Sequence, residues 1–353
     1  MKIKCKRDEF ARVFTVLSSI SAKGNVKISV DSAITLTASD CAIGGRGIAD
    51  GVIERPGEVV LNAALLKKIL AEMNCEEFSL ELDGQALLTG GRCKYRLDTY
   101  DAKKFPVVEP FGEADYTIPA KPFQDLIRRT VFATDLDNTH YDLGCVKLII
   151  EPGRALGVAT DGRRLAYQAI KCDTEATDDA LLLPRTLNLI DRVIATTNAE
   201  DVLFTKKNSQ QAAFKIGDFE FTSVVKDGKF PDWRSILPRK SDCKRVDFIA
   251  GELARAVRQA GIVASENKPG VVLFFSSGSV NVSAAGEAIG ESSVDLPIDY
   301  DGEEKRLRLD ARFLNDFFKN VGATENVAFY FGEDYRTMLE TADGYQYIVM
   351  QMA

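Results

Sequence analysis

The chain has 353 residues, of which 45% are apolar, and its formal net charge is −7. This length exceeds what a single hydrophobic core usually holds, so several domains are expected. The charged start MKIKCKRDEF and the lack of any apolar run of membrane-spanning length argue against a signal peptide and a membrane anchor, and we expect a cytoplasmic protein. Seven scattered cysteines without a C-x-x-C pair argue against a disulfide framework and a zinc site.

Six short amphipathic helices are predicted in chain order, each directly after an apolar strand. Apolar residues at positions i, i+3 and i+4 mark them, as in Phe10, Val13, Phe14 and Leu17. Alternating strands such as Phe78–Leu82 fill the intervals. The predicted helices cover residues 6–20, 62–74, 120–134, 184–197, 251–264 and 310–322.

The pattern repeats three times along the chain. Segments that begin at Leu61, Leu183 and Leu309 share a strand end, a cap residue or proline, and then helical spacing; their starts lie 122 and 126 positions apart. A second series begins at residues 36, 157 and 281, with starts 121 and 124 apart. This repeat predicts an α+β fold of three similar domains, residues 1–112, 113–240 and 241–353, each with two helices packed on antiparallel sheet.

The predicted helices are more basic than the rest of the chain. They hold 14 Lys and Arg against 8 Asp and Glu, a net charge of +6, which leaves −13 for the other residues. A shared positive helix face suits a surface that follows phosphates, and contacts of this kind are weak, directed at the backbone and sensitive to salt. The alternative is that these are ordinary solubilising charges on exposed helix faces.

Three segments together resemble the bacterial DNA sliding clamp, the beta subunit of DNA polymerase III. They are Ala159–Ala166 (ATDGRRLA), Phe221–Pro238 with its DGKFPDWRSILP ending, and Tyr347–Met350 (YIVM), and the similarity runs in order from end to end. The resemblance implies the DNA clamp fold and a head-to-tail homodimer that closes into a ring around duplex DNA. It also implies docking of the replicative polymerase catalytic subunit, the clamp loader and other proteins with clamp-binding motifs.

The resemblance further implies a hydrophobic peptide pocket between the second and third domains. The implied pocket residues are Thr160, Gly162, Arg163, Arg164, Leu165, Pro231, Ile236, Ile348, Met350 and Met352. Aliphatic and thioether side chains suit an adaptable slot for short peptides, although Met350 and Met352 also fit ordinary core packing of a final strand. Four positions depart from the family pattern, so a different peptide preference is expected: Arg163 in place of His, Ser235 in place of a basic residue, Gln351 in place of Pro, and Asp142 at a usually apolar position.

Two further groups of residues follow from the resemblance. The predicted DNA contacts are Lys67, Lys68, Arg128, Arg129, Arg185 and the loop residues His140 and Tyr141; each also fits a merely exposed position. The predicted dimer interface joins Tyr95 and Leu97, on an edge strand, with Ile262 and Val263 of a second copy, the alternative being internal core.

Enzymatic functions fit the sequence poorly. His140 is the only histidine and has no nucleophile motif beside it, and Gly44–Gly47 (GGRG) lacks the helix start and the Lys-Ser/Thr of a phosphate loop. We therefore expect no catalytic residue, no metal and no cofactor. The rival function is a peptide-binding scaffold that does not encircle DNA.

Overall fold

The computed structural model describes residues 1–21, 24–40, 42–135, 137, 142–264, 269–286 and 290–352. The chain forms two compact units, and each is described by itself. The first comprises Met1–Gln124, Cys172–Thr174 and Arg185–Asp227. The second comprises Asp125–Lys171, Glu175–Pro184 and Gly228–Ala353. The predicted central domain, residues 113–240, is divided between the two units. The division of the chain into three domains stays a prediction.

Within the described residues, six α-helices lie in the predicted places, each preceded by a strand. Helix α6 ends four residues earlier than predicted, and the last predicted turn of α3 is a 3₁₀ turn, Val131–Ala133. Capping explains two of the starts, since the Asn62 carboxamide accepts a hydrogen bond from the Leu65 amide at 2.9 Å and the Asp310 carboxylate accepts one from the Arg312 amide at 2.8 Å. The helices are α1 Arg7–Ser18, α2 Ala63–Glu72, α3 Ala120–Thr130, α4 Pro184–Thr196, α5 Ala250–Gly261 and α6 Ala311–Phe318.

The first unit contains two antiparallel sheets. Their strands are β1 Lys2–Lys6, β2 Asn25–Val30, β3 Ile34–Ser39, β4 Ile43–Ala49, β5 Val52–Arg55, β6 Gly57–Asn62, β7 Glu77–Asp83, β8 Gln85–Gly90, β9 Cys93–Leu97, β10 Tyr116–Pro119, β15 Asp201–Asn208, β16 Gln211–Ile216 and β17 Phe219–Lys226. One sheet has the order β5-β1-β7-β8-β9, and the other runs β6-β2-β3-β4-β17-β16-β15-β10. Pairing of β4 with β17 joins the N-terminal part to the central part of the chain.

The second unit also contains two antiparallel sheets. Their strands are β11 Val146–Glu151, β12 Arg154–Thr160, β13 Arg164–Lys171, β14 Asp178–Leu182, β18 Lys244–Ile249, β19 Gly270–Ser276, β20 Ser279–Gly286, β21 Gly290–Pro297, β22 Lys305–Asp310, β23 Asn326–Phe331, β24 Arg336–Thr341 and β25 Gln346–Met350. One sheet has the order β18-β23-β24-β25-β13-β12-β11-β14, the other β21-β20-β19-β22. Pairing of β13 with β25 joins the central part to the C-terminal part, so a sheet continues across each predicted domain boundary.

Helices cover one face of these sheets. In the first unit, Phe10, Val13, Phe14 and Leu17 of α1 are fully buried, as the apolar spacing predicts. In the second unit, a Cβ atom at Gly157 of β12 would lie 2.4 Å from the Leu126 side chain, so only glycine lets α3 approach the sheet this closely. No helix within the described residues is both long and apolar enough to cross a bilayer.

Candidate peptide-binding site

Residues 160–165 form a tight turn between β12 and β13 in the second unit. The Thr160 hydroxyl donates to the Arg164 carbonyl at 2.6 Å and accepts from the Gly162 amide at 3.1 Å. Gly162 has φ +84°, a conformation that favours glycine. The Asp161 carboxylate accepts from the amides of Arg163 and Arg164, both at 2.9 Å. Thr160 and Gly162 therefore act as backbone supports for the turn.

Arg164 lies on the helix-covered face of the sheet. Its guanidinium donates to Asp161 at 2.9 Å, to Asp316 at 2.7 Å and to the Phe132 carbonyl at 2.9 Å. It also lies over the Phe313 ring, 4.5 Å from the centroid. Its side chain is 11% exposed, so Arg164 holds the turn and α6 together from behind.

Leu165 points to the opposite face of the same sheet, into an apolar cluster. The neighbouring strands place Ile348 opposite Leu165 and Met338 opposite Ile348, so the three side chains form a row across β13, β25 and β24. The apolar cluster consists of buried Ile149, Leu156, Val158, Leu165, Trp233, Ala328, Tyr330, Met338 and Ile348. Its half-buried border consists of Tyr167, Ala169, Phe230, Ile236, Leu237 and Cys243.

The segment 230–237 covers this cluster. Trp233, 5% exposed, stacks on Tyr167 with ring centroids 5.0 Å apart. Arg336 of β24 fastens the end of the segment, because its Nη1 donates to the carbonyls of Ser235 at 3.2 Å and Ile236 at 3.1 Å. The predicted wall residues Pro231 and Ile236 are both half-buried in this segment.

The C-terminal strand, β25, forms the other side of the candidate site. Met350 is half-buried and follows Ile348 by two positions, so both side chains lie on the face that carries the apolar cluster. The Met350 amide donates to the Arg163 carbonyl at 2.8 Å, which continues the β13 to β25 ladder. Met352 lies elsewhere: its amide donates to the Arg308 carbonyl at 2.8 Å, and its sulfur lies beside Gly270. The structure thus brings Leu165, Pro231, Ile236, Ile348 and Met350 together on or beside the cluster.

The cluster residues Trp233, Tyr330 and Met338 and the border residue Tyr167 are not among the site residues predicted from the sequence. Alternation along β13 would have found Tyr167, which shares a face with Leu165. Burial raises the pKa of Tyr167 and of Cys243, so both are neutral near pH 7. The site offers a buried apolar cluster with a half-buried apolar border, which suits binding of an apolar segment.

Residues that depart from the family pattern form hydrogen bonds within the second unit. Asp142, expected at an apolar position, donates its amide to the Lys229 carbonyl at 3.2 Å, and the next residue, Leu143, is the buried one. The Gln351 side chain donates to the Asp334 carbonyl at 3.2 Å. The Ser235 hydroxyl donates to the Asp232 carbonyl at 2.7 Å.

The predicted DNA contacts differ in their surroundings. Lys67 and Lys68 are exposed on α2, and Arg128 is exposed on α3. Arg129 is engaged within the second unit: it forms an ion pair with Asp343, donates to Gln168 at 2.8 Å and is 11% exposed. Arg185 is half-exposed and bonds to Asp40 and to the Ile20 carbonyl. The remaining two, His140 and Tyr141, lie outside the described residues.

The predicted dimer residues lie near strand edges. Strand β9 is the last strand of its sheet; Tyr95 on it is half-buried, whereas Leu97 is buried. In the second unit, Ile262 is 77% exposed and Val263 is half-buried, both just after α5. Strand β21 is an edge strand with no buried residue.

Among the residues that the structure describes, no group of three or more His, Cys, Asp and Glu side chains is arranged to hold a metal ion. The six described cysteines are free thiols.

The chain is similar in sequence and in fold to known proteins. Residues 117–232 match the family model for the DNA polymerase III beta subunit, central domain. The chain is 29% identical over 329 residues to the beta sliding clamp of Pseudomonas aeruginosa, covering 90% of this chain and 88% of the relative. The solved DNA polymerase III beta subunits of P. aeruginosa and Thermotoga maritima superpose with TM-scores of 0.91 and 0.90, at 23% and 19% identity. They cover 100% of this chain and 100% and 99% of theirs. This likeness establishes the clamp fold over the whole chain.

Proposed function

We propose that the chain is a bacterial DNA polymerase III beta subunit, a beta sliding clamp, which encircles duplex DNA and tethers the replicative DNA polymerase as a non-catalytic processivity factor in the cytoplasm. Its further partners are the clamp loader, other proteins with clamp-binding motifs, and a second copy of itself in a head-to-tail homodimer.

The observation that carries this proposal is the apolar cluster with its half-buried border, within a clamp fold of full length. Strands β13, β25 and β24 hold Leu165, Ile348 and Met338 in one row, and the segment 230–237 covers the cluster. Such a surface binds a short apolar segment of a partner without any catalytic group. We propose the residues beside it, Pro231, Ile236 and Met350, as direct peptide contacts, and Thr160, Gly162 and Arg164 as supports of the turn.

The proposed dimer uses two of the edge strands, β9 and β21. Edge strand β9 carries exposed Lys94 and Arg96, whereas edge strand β21 carries exposed Glu291 and Asp295. Pairing β9 of one copy with β21 of the other covers both edges and brings opposite charges together. Exposed Ile262 gains apolar burial in the same interface.

DNA contact in this proposal is weak and independent of sequence. Exposed Lys67, Lys68 and Arg128 meet phosphates, whereas Arg129 contributes chiefly by holding α3 to its own unit. Because the contacts are weak, retention on DNA depends on closure of the ring. The site supports this function better than the rival scaffold, because the scaffold needs neither complementary edges nor basic helices.

A threading experiment separates the two functions without a loader. The protein is incubated with linear duplex whose biotinylated ends are open, streptavidin then blocks both ends, and the complex is washed at high salt. Encirclement predicts that protein stays on blocked duplex and leaves after an internal restriction cut. The Ile262→Asp variant, which weakens the dimer, is the matched control and should wash off. Equal loss of protein from blocked and open duplex would favour the scaffold.

A further inference from the structure

The exposed residues around the apolar cluster carry excess positive charge beside Trp233. There, two guanidiniums share one carboxylate: Arg234 Nη2 donates to Glu151 Oε1 at 2.7 Å, and Arg154 donates to Oε2 from Nε at 3.0 Å and from Nη2 at 2.6 Å. Both arginine side chains are about half exposed, at 53% and 52%. One carboxylate neutralises only one of them.

Neighbouring charges do not cancel this excess. Exposed Lys171 lies directly opposite Arg154 in the ladder of β12 and β13. The exposed carboxylate of Asp232 belongs to the same covering segment as Arg234. The formal net charge of this group is +1, from Arg154, Lys171 and Arg234 against Asp232 and Glu151. Tyr167, which stacks on Trp233, brings this group of charges next to the apolar surface.

A second excess positive charge lies at the Met350 end of the cluster. Arg163 is exposed, and its carbonyl accepts from the Met350 amide at 2.8 Å. The nearest carboxylate along the chain, Asp161, is already engaged by Arg164 and by two backbone amides. Within the described part of the chain, no carboxylate forms an ion pair with the Arg163 guanidinium.

Two other cations near the apolar cluster are paired: Lys240 with Glu340 at 2.6 Å, and Arg336 with Asp334. The excess charge beside Trp233 and the charge of Arg163 lie towards opposite ends of β13. Along β13, Tyr167 comes four positions after Arg163, about 13 Å for extended chain, and Lys171 a further four positions on.

We propose that this site selects partner peptides in which an apolar segment is flanked on both sides by Asp or Glu, about four to eight residues apart. The proposal rests on the proposed docking function and deepens it. Exposed charge pairs contribute chiefly to specificity and association rate, so each acidic flank is expected to change affinity by about two- to fivefold. A peptide with basic flanks meets like charge at both ends and is disfavoured.

The test begins with a random dodecapeptide library displayed on phage and panned at low salt against the full chain. Synthetic forms of the tightest selected peptide are then titrated against the protein. Trp233, the only tryptophan, reports binding at the cluster by its fluorescence. Each acidic residue is replaced by its amide, and the protein variants are Arg163→Gln and Arg234→Gln, with exposed Arg255→Gln on α5 as the matched control.

The expected result is enrichment of Asp and Glu beside apolar residues. Loss of about two- to fivefold in affinity is then expected for each amide peptide, Arg163→Gln and Arg234→Gln should lose a similar factor, and Arg255→Gln should lose none. Peptides that change Trp233 fluorescence but show no acidic enrichment, or bind Arg163→Gln and Arg234→Gln equally well, would overturn the charge proposal and leave docking intact. If selected peptides bind Met350→Asp as tightly as the unaltered chain, docking at the cluster itself fails.

Discussion

Replacement of Arg164 by methionine should destabilise the second unit strongly. Methionine keeps an unbranched side chain of similar reach but removes the guanidinium that bonds to Asp161, Asp316 and the Phe132 carbonyl. The two carboxylates are 15% and 26% exposed, so both lose a partner in a largely desolvated place. Removing one member of a buried ion pair typically costs about 3–5 kcal/mol, and partial exposure places the expected loss near 3 kcal/mol.

The neighbouring residue gives a matched control. Arg163 is exposed, so Arg163→Met should change the free energy of unfolding by no more than about 0.5 kcal/mol. Urea titrations monitored by Trp233 fluorescence report the unit that contains both residues. A loss below about 1 kcal/mol for Arg164→Met, or equal losses for the two variants, would refute the inference that Arg164 is a structural support.

Four other predictions follow from the same structure. Met350→Ala should weaken binding of a selected peptide by about fivefold in fluorescence titration with little effect on stability; unchanged affinity would remove Met350 from the site. Ile262→Asp should raise the dimer dissociation constant at least about tenfold in sedimentation equilibrium, whereas Val107→Asp, at another exposed apolar residue, should not. The double variant Lys67→Ala and Lys68→Ala should weaken duplex binding equally for different DNA sequences and make the affinity less dependent on salt. The control is the double variant Lys103→Ala and Lys104→Ala, at two other exposed lysines, and an unchanged salt slope for the first variant would contradict phosphate contact. Acid should destabilise the second unit through Asp316. Burial raises the pKa of this carboxyl, but hydrogen bonds from Lys319 and Arg164 outweigh burial and hold the pKa below its ordinary value. The stabilisation from Asp316 is therefore present above about pH 4 and is lost as the pH falls through the folded pKa. Arg164→Met should therefore lose less stability than the unaltered chain between about pH 5 and pH 3, and parallel curves would contradict this.

Helix placement was predictable because each helix has a periodic apolar face and a local start signal. Phe10, Val13, Phe14 and Leu17 specify one face of α1, and Asn62 and Asp310 cap α2 and α6. The continuation of sheets across the predicted domain boundaries was not predictable from the sequence. Strand pairs such as β4 with β17 are far apart in the chain, and edge-strand composition does not encode a partner.

The candidate site was also only partly predictable from the sequence. The resemblance supplied Leu165, Ile236 and Ile348, which the structure places on the cluster or its border. It placed Arg164 among them without showing that its side chain lies on the opposite face, a consequence of strand alternation. It also gave no sign that Met352 packs beside Gly270, because the strand ends at Met350 and alternation ends with it.

The proposed function requires two copies of this chain to form a closed ring. Sedimentation equilibrium paired with negative-stain electron microscopy at the same protein concentration tests for this ring directly and needs no partner. A closed ring should give a species of twice the 38.8 kDa chain mass and particles with a central opening. A monomer at high concentration, or a dimer of solid particles, would contradict encirclement.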